Sequence, residues 1–74
     1  MPHISTAEPD GSAVKAFRER AGLTQEDLSK LLKRHPQTIS DVESGRRPVS
    51  VILIGQIARV LKVQPELLIK SEAA

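Results

Sequence analysis

The sequence of 74 residues contains no cysteine, no tryptophan and no tyrosine, and its single phenylalanine is Phe17. Without cysteine, neither a disulfide framework nor a cysteine-based zinc site can stabilise the chain. The two histidines, His3 and His35, lie too far apart for the usual spacing of metal ligands, so we expect neither a metal nor another cofactor. Single-stranded nucleic acid is disfavoured as a partner, because the one aromatic ring is needed in the core and no stacking platform remains.

Long apolar runs are also missing from the sequence. No segment reaches the roughly 18 apolar residues of a membrane-spanning helix, and residues 1–11 have neither the basic nor the apolar region of a secretory signal. We therefore expect a cytoplasmic protein that does not contact membranes. We recognise no nucleophile–base pair, metal cluster or phosphate-binding glycine loop, so we do not expect an enzyme. A sensor domain does not fit in so short a chain, and we expect no small-molecule ligand.

The charge is distributed unevenly over a modest net value of +2. Residues 1–12 contain two acidic residues and no Lys or Arg, whereas residues 13–74 contain 11 basic and 7 acidic residues. This basic excess suits a partner that carries phosphates, although many solvated domains share such a balance. Prolines and a glycine without apolar periodicity predict a flexible arm over residues 1–12, followed by one folded domain over 13–70 and a tail over 71–74.

The apolar periodicity predicts an all-α fold of five helices without strands. The expected helices cover about 13–21, 25–32, 36–44 and 51–61, with a short last helix that opens at 64–66. The local signals are the caps Ser12, Thr24 and Ser50, the first helical residue Pro36, and the stops Gly22 and Gly45. The expected inward positions are Val14, Phe17, Ala21, Leu28, Leu32, Ile39, Val42, Ile54, Ile57, Ala58 and Leu61.

The third predicted helix carries one continuous polar stripe opposite its buried pair. Spacings of 0, +3, +4 and +7 place four polar residues on one face: Gln37, Ser40, Asp41 and Ser44. Basic residues flank this helix on both sides: Lys33, Arg34, Arg46 and Arg47. A helix inserted into the major groove between phosphate-binding cations needs this arrangement. The alternative is an ordinary solvated helix face with plain charges in the neighbouring loops.

Several independent positions between residues 13 and 69 match one known pattern. They are Arg18, Gly22-Leu23-Thr24-Gln25, Leu28, Thr38-Ile39-Ser40, Val42-Glu43, Gly45, Pro48, Ile57-Ala58, Leu61 and Leu67-Leu68. On these residues the chain resembles the Cro and lambdoid-repressor type of helix-turn-helix domain, also called the xenobiotic-response-element family. The resemblance implies a five-helix lambda-repressor-like domain that places its third helix in the major groove of double-stranded DNA.

The resemblance also implies a role for each matching residue. The residues that would face base edges are Pro36, Gln37, Ser40 and Asp41. Gln25 and Thr38 would contact phosphates. Independently of the resemblance, the positions around the third helix add five candidates for phosphate contacts: Lys33, Arg34, Ser44, Arg46 and Arg47. Gln37 could pair with the N6 and N7 atoms of adenine, and Asp41 could accept from cytosine N4 or repel phosphate. Arg18 and Glu43 match a structural ion pair that ties the first helix to the third.

Three turn positions depart from the family pattern. Lys33 and Lys62 stand where glycine is common, which predicts either a left-handed non-glycine residue or a different turn. His35 replaces the usual serine or threonine cap, and we expect it to be a surface turn residue rather than a metal ligand or a pH sensor. Pro36 has no side chain that can hydrogen-bond a base, so that reading position is silent or purely steric.

The fourth predicted helix has more apolar residues than one face can bury, since Val51-Ile52-Leu53-Ile54 fills a whole turn. A larger core contact would explain the surplus. The alternative is a homodimer seam, for which the candidates are Ile52, Leu53, Val60 and Ile69. Such a two-fold dimer would place two reading helices about 34 Å apart on a partly palindromic site.

Three classes of function are compatible with these patterns to different degrees. The leading hypothesis is a sequence-specific duplex-DNA-binding transcriptional regulator, most simply a repressor that occludes a promoter as a dimer. The alternative is a protein-interaction module, for instance an antitoxin that masks a toxin through the arm over residues 1–12 or the apolar surface of the fourth helix. An enzyme is the third class, and the polar residues fit it least well.

Overall fold

The computed structural model describes residues 6–46 and 48–70. Within them the chain forms β1 (Thr6–Ala7), α1 (Gly11–Arg20), α2 (Gln25–Leu32), α3 (Pro36–Ser44), β2 (Val49–Ser50), α4 (Val51–Leu61) and a 3-10 turn (Pro65–Leu68). The helical helix-turn-helix fold is therefore as predicted, but the count of five helices is wrong. The fifth predicted helix is only a 3-10 turn, because Pro65 and the short run that follows it support a single tight turn. No helix of these described residues has the length and apolarity needed to cross a membrane.

The two strands were not predicted, because two-residue strands leave no alternating pattern in a sequence. β1 pairs with β2 in antiparallel register, with Thr6 opposite Ser50 and Ala7 opposite Val49. Beyond β1, the chain continues alongside the residues that follow the 3-10 turn, as shown by an isolated bridge between Pro9 and Ile69. Pro9 is fully buried there.

The first helix begins earlier than predicted. Its cap is Asp10 rather than Ser12, since the Asp10 carboxylate accepts a hydrogen bond from the Ala13 backbone N–H at 3.2 Å. The Asp10 backbone N–H in turn donates to the Leu68 carbonyl at 2.8 Å. Part of the expected flexible arm, residues 6–12, thus lies in a strand, a cap and a first helical turn. The remainder of that arm, residues 1–5, and the expected tail over 71–74 lie outside the described residues.

The turn between α2 and α3 contains a left-handed lysine, which is the first of the two alternatives stated for this position. Lys33 ends α2 with φ at 57°, and Lys62 ends α4 in the same way with φ at 61°. His35 is exposed and is more than a turn residue, because it caps α3: its Nδ1 accepts a hydrogen bond from the Gln37 backbone N–H at 3.0 Å. Each lysine therefore makes a helix stop that the family usually makes with glycine, at the cost of a left-handed backbone.

The core lies between α1, α2, α3 and α4, and the 3-10 turn contributes Leu68 to it. Its buried apolar residues are Val14, Leu28, Ile39, Val42, Leu53, Ile54, Ile57, Ala58, Leu61 and Leu68. Among the expected inward positions, Phe17 and Leu32 are only half-buried, and Ala21 is exposed, so its inward placement was wrong. In the last turn of α1 the buried residue is Arg18 instead.

The orientation of α4 corrects one candidate for the dimer seam. Leu53 is 4% exposed and belongs to the core, on the same face as Ile54 and Ile57, so its assignment to a seam was wrong. Ile52, one residue earlier, points outward and is 67% exposed. The apolar surplus of α4 therefore divides between a larger core contact and a small exposed area.

Candidate nucleic-acid interface

The predicted polar stripe lies on the outer face of α3. Pro36, Gln37 and Ser44 are exposed, whereas Ser40 and Asp41 are half-buried. The buried pair on the opposite side, Ile39 and Val42, fixes the rotation of the helix about its axis. The four residues of the stripe thus lie on one surface of α3, as the helical spacing requires.

Two hydrogen bonds join Asp41 to its neighbours in this stripe. Gln37 Nε2 donates to Asp41 Oδ1 at 3.1 Å, one helical turn away. Ser44 Oγ donates to the Asp41 backbone carbonyl at 2.7 Å. A glutamine amide has two N–H donors and one acceptor oxygen. The contact with Asp41 uses one N–H and orients the amide. Among the residues that the structure describes, the second N–H and the oxygen of Gln37 have no protein partner.

An ion pair joins α1 to the last turn of α3, as the resemblance implied. Arg18 donates from Nε to Glu43 Oε2 and from Nη2 to Glu43 Oε1, the second bond being 3.2 Å long. A third bond from Arg18 Nη1 reaches the Leu23 carbonyl at 2.7 Å. The hydrogen bond to Glu43 raises the pKa of the Arg18 guanidinium above its ordinary value. Since the two side chains are only 9% and 6% exposed, the pair is a buried one.

Gln25 takes part in the same network, which the sequence did not reveal. Its side-chain Nε2 donates to Glu43 Oε1 at 2.9 Å. Gln25 is also the first residue of α2, so its backbone N–H has no acceptor within the helix and lies at the positive helix end. The backbone of Gln25 therefore suits a phosphate while its side chain braces Glu43. A glutamine and a glutamate 18 residues apart have no sequence signal that would predict this contact.

The predicted cations lie on both sides of α3. Lys33 and Arg34 are exposed in the preceding turn, and Arg34 Nη2 contacts Gln56 Oε1 at 3.5 Å. Arg46 is exposed after the helix, and Thr38 is half-buried in its first turn. The list of predicted phosphate contacts also includes Arg47, which lies outside the described residues. Positive charge thus borders the polar stripe at both ends of the helix.

The helix-turn-helix family (HTH_3) matches residues 14–68. The solved structure of the restriction-modification controller protein C.AhdI from Aeromonas hydrophila is 32% identical, with a TM-score of 0.71, and the match covers 77% of this chain and 86% of that one.

Two curated relatives match over a shorter part of their length. Endothelial differentiation-related factor 1 from Homo sapiens is 37% identical over 51 residues, which is 69% of this chain and 34% of the relative. Multiprotein-bridging factor 1 from Debaryomyces hansenii is 35% identical over 54 residues, 73% of this chain and 36% of the relative. The chain thus spans about a third of the length of these relatives.

Proposed function

Since the chain belongs to the Cro/C1-type helix-turn-helix family and has the fold of its DNA-binding regulators, we propose that it binds double-stranded DNA sequence-specifically and represses transcription by occluding a promoter. The observation that carries this proposal is the outer face of α3, where Gln37 and Asp41 form an oriented pair between flanking cations. A buried ion pair holds that helix on the rest of the domain.

In this proposal α3 enters the major groove and Gln37 is its principal reader. The remaining amide N–H and oxygen of Gln37 match the N7 and N6 groups of adenine. Asp41 orients Gln37 and limits which bases fit beside it, while Ser40 adds a short hydroxyl and Pro36 acts sterically. The residues proposed to contact phosphates are the backbone of Gln25 and the side chains of Lys33, Arg34, Thr38, Ser44, Arg46 and Arg47.

We further propose that the protein binds its site as a homodimer. The exposed Ile52 is the main support, together with the half-buried Val60 and Ile69. A two-fold pair would place two α3 helices about 34 Å apart, which matches successive major grooves on one side of the duplex.

Selection from a randomised duplex pool at two salt concentrations tests the DNA-binding proposal. We expect the wild type to enrich a defined site and its affinity to fall with salt at a log–log slope of roughly −4, if about four cations contact phosphates. Gln37→Ala should lose the preference and keep non-specific binding. Gln64→Ala is the matched control, because Gln64 is exposed and makes no side-chain cap hydrogen bond. A wild type that enriches no sequence would refute the proposal.

Protein interaction is a second candidate function, with an antitoxin as one example. Two observations favour it: a relative is named a multiprotein-bridging factor, and Leu31 and Leu67 are 58% and 51% exposed. Co-purification of a stoichiometric partner that Leu67→Glu abolishes would support this function. A tight and complete DNA footprint made by the chain alone would count against it.

A further inference from the structure

Gly11, the first residue of α1, lies directly against the backbone of α3. A β-carbon at this position would be 2.0 Å from the Glu43 carbonyl oxygen and 3.0 Å from that of Val42. Both obstacles are main-chain atoms, so no side-chain rotation can relieve the contact. Gly11 is not among the residues with positive φ, so packing rather than backbone conformation requires a glycine here.

Glu43 of α3 contacts α1 at two positions, and Gly11 is the first of them. Arg18 lies seven residues later, two helical turns along the same face of α1, and it binds the Glu43 carboxylate. Glu43 is therefore held by its main chain at Gly11 and by its side chain at Arg18. The last turn of α3 is fixed on α1 through these two points.

A side chain at Gly11 must therefore displace α3 and the start of α1 relative to each other. Ordinary contact for a β-carbon begins at 3.4 Å. Because the Glu43 carbonyl oxygen would lie at 2.0 Å, the backbones of α1 and α3 must move apart by more than 1 Å at this point. Because α3 is a short rigid helix, this displacement carries over to Gln37 and Asp41. A hydrogen bond to a base edge tolerates only a few tenths of an ångström, whereas long Lys and Arg side chains can follow a phosphate over that distance.

We propose that Gly11 is a positioning residue for sequence reading, although it lies on α1 and outside the α3 stripe. It sets how closely the recognition helix is seated on α1, and its replacement reduces discrimination between DNA sequences more than general affinity for DNA. This inference depends on the function proposed above.

The test compares Gly11→Ala with Gly55→Ala, which is also a glycine in a helix but has open space at its β-carbon. The measured quantity is the ratio of affinities for the selected duplex and for a random duplex, at a temperature where each variant is folded. We expect Gly11→Ala to lower this ratio about tenfold or more, the effect of losing a bidentate base contact. Its affinity for random duplex and its salt slope should stay unchanged. Gly55→Ala should leave the ratio unaltered and raise the Tm by about 4–8 °C.

Several outcomes would overturn the proposal. If Gly11→Ala lowers the Tm but keeps the wild-type ratio, Gly11 has only a packing role. If Gly11→Ala does not fold, the ratio is measured after adding the stabilising changes Gly55→Ala and Lys62→Gly. An unfolded triple variant also contradicts the proposal, which requires a folded protein with a displaced helix. A wild type without sequence preference would refute the proposed function and this inference together, whereas an unchanged ratio refutes the inference alone.

Discussion

Replacing Glu43 by leucine should remove a large part of the stability of this domain. The Glu43 carboxylate accepts bonds from Nε and Nη2 of Arg18 and from Nε2 of Gln25. Without it, the buried guanidinium of Arg18 keeps the neutral Leu23 carbonyl and only a long contact of 4.0 Å with the exposed carboxylate of Glu19. Breaking a buried pair on one side costs about 3–5 kcal/mol. A domain of this size has a free energy of unfolding of about 4–11 kcal/mol, and we expect the Tm to fall by more than about 10 °C.

Urea unfolding followed by circular dichroism measures the effect in a double-mutant cycle. Arg18→Met combined with Glu43→Leu removes both charges, and we expect the double variant to be far more stable than Glu43→Leu alone. Gln25→Ala should cost only about 1 kcal/mol, because it removes one neutral donor. A loss below about 1 kcal/mol for Glu43→Leu, or a double variant as unstable as the single one, would show that desolvation of this pair is not what makes its disruption costly.

Four further predictions concern α2 and α4. Lys62→Gly should raise the free energy of unfolding by about 0.5–1 kcal/mol, because glycine avoids the cost of a left-handed lysine; chemical denaturation showing no gain would contradict this. The hydrogen bond from the Thr24 backbone N–H lowers the pKa of Asp27. The stabilisation from this bond is therefore fully present above the ordinary pKa of about 3.9, and it is lost as the pH falls through the lower pKa of the folded state. Asp27→Asn should flatten that part of the Tm–pH profile, and identical profiles for the two proteins would refute the assignment. Leu53→Ala should cost about 2–5 kcal/mol of stability, whereas Ile52→Glu should stay folded and sediment as a monomer; an unchanged dimer mass would remove Ile52 from the seam.

The helices and the candidate reading face followed from the sequence because both depend on local rules. Thr24 and Asp27 form the capping box that their spacing indicates, through bonds of 3.0 Å in each direction. The buried pair of α3, Ile39 and Val42, places the polar residues outside by helical geometry alone. These features involve residues within a few positions of one another, where pattern and structure correspond closely.

The features that could not be predicted depend on contacts between distant segments. The Gln25–Glu43 bond and the Gly11–Glu43 approach join elements far apart in sequence. Leu53 and Ile52 are equally apolar, so only the packing of α4 against the other helices decides which one is buried. The pairing of residues 6–10 likewise depends on where β2 and the end of the 3-10 turn lie in space.

The pairing of residues 8–10 with residues 68–70 has a consequence for the order of folding. The Lys70 backbone N–H donates to the Glu8 carbonyl at 2.9 Å, and this contact closes a loop of roughly 60 residues at an entropic cost of about 4 kcal/mol. During synthesis, residues 8–10 meet residues 68–70 only after α4 has been made, so we expect this pairing to form last. A circular permutant that joins Thr6 to Lys70 through a short linker would make the contact local. Because the contact forms late, such a chain should unfold more slowly and fold at nearly the same rate as the unpermuted chain.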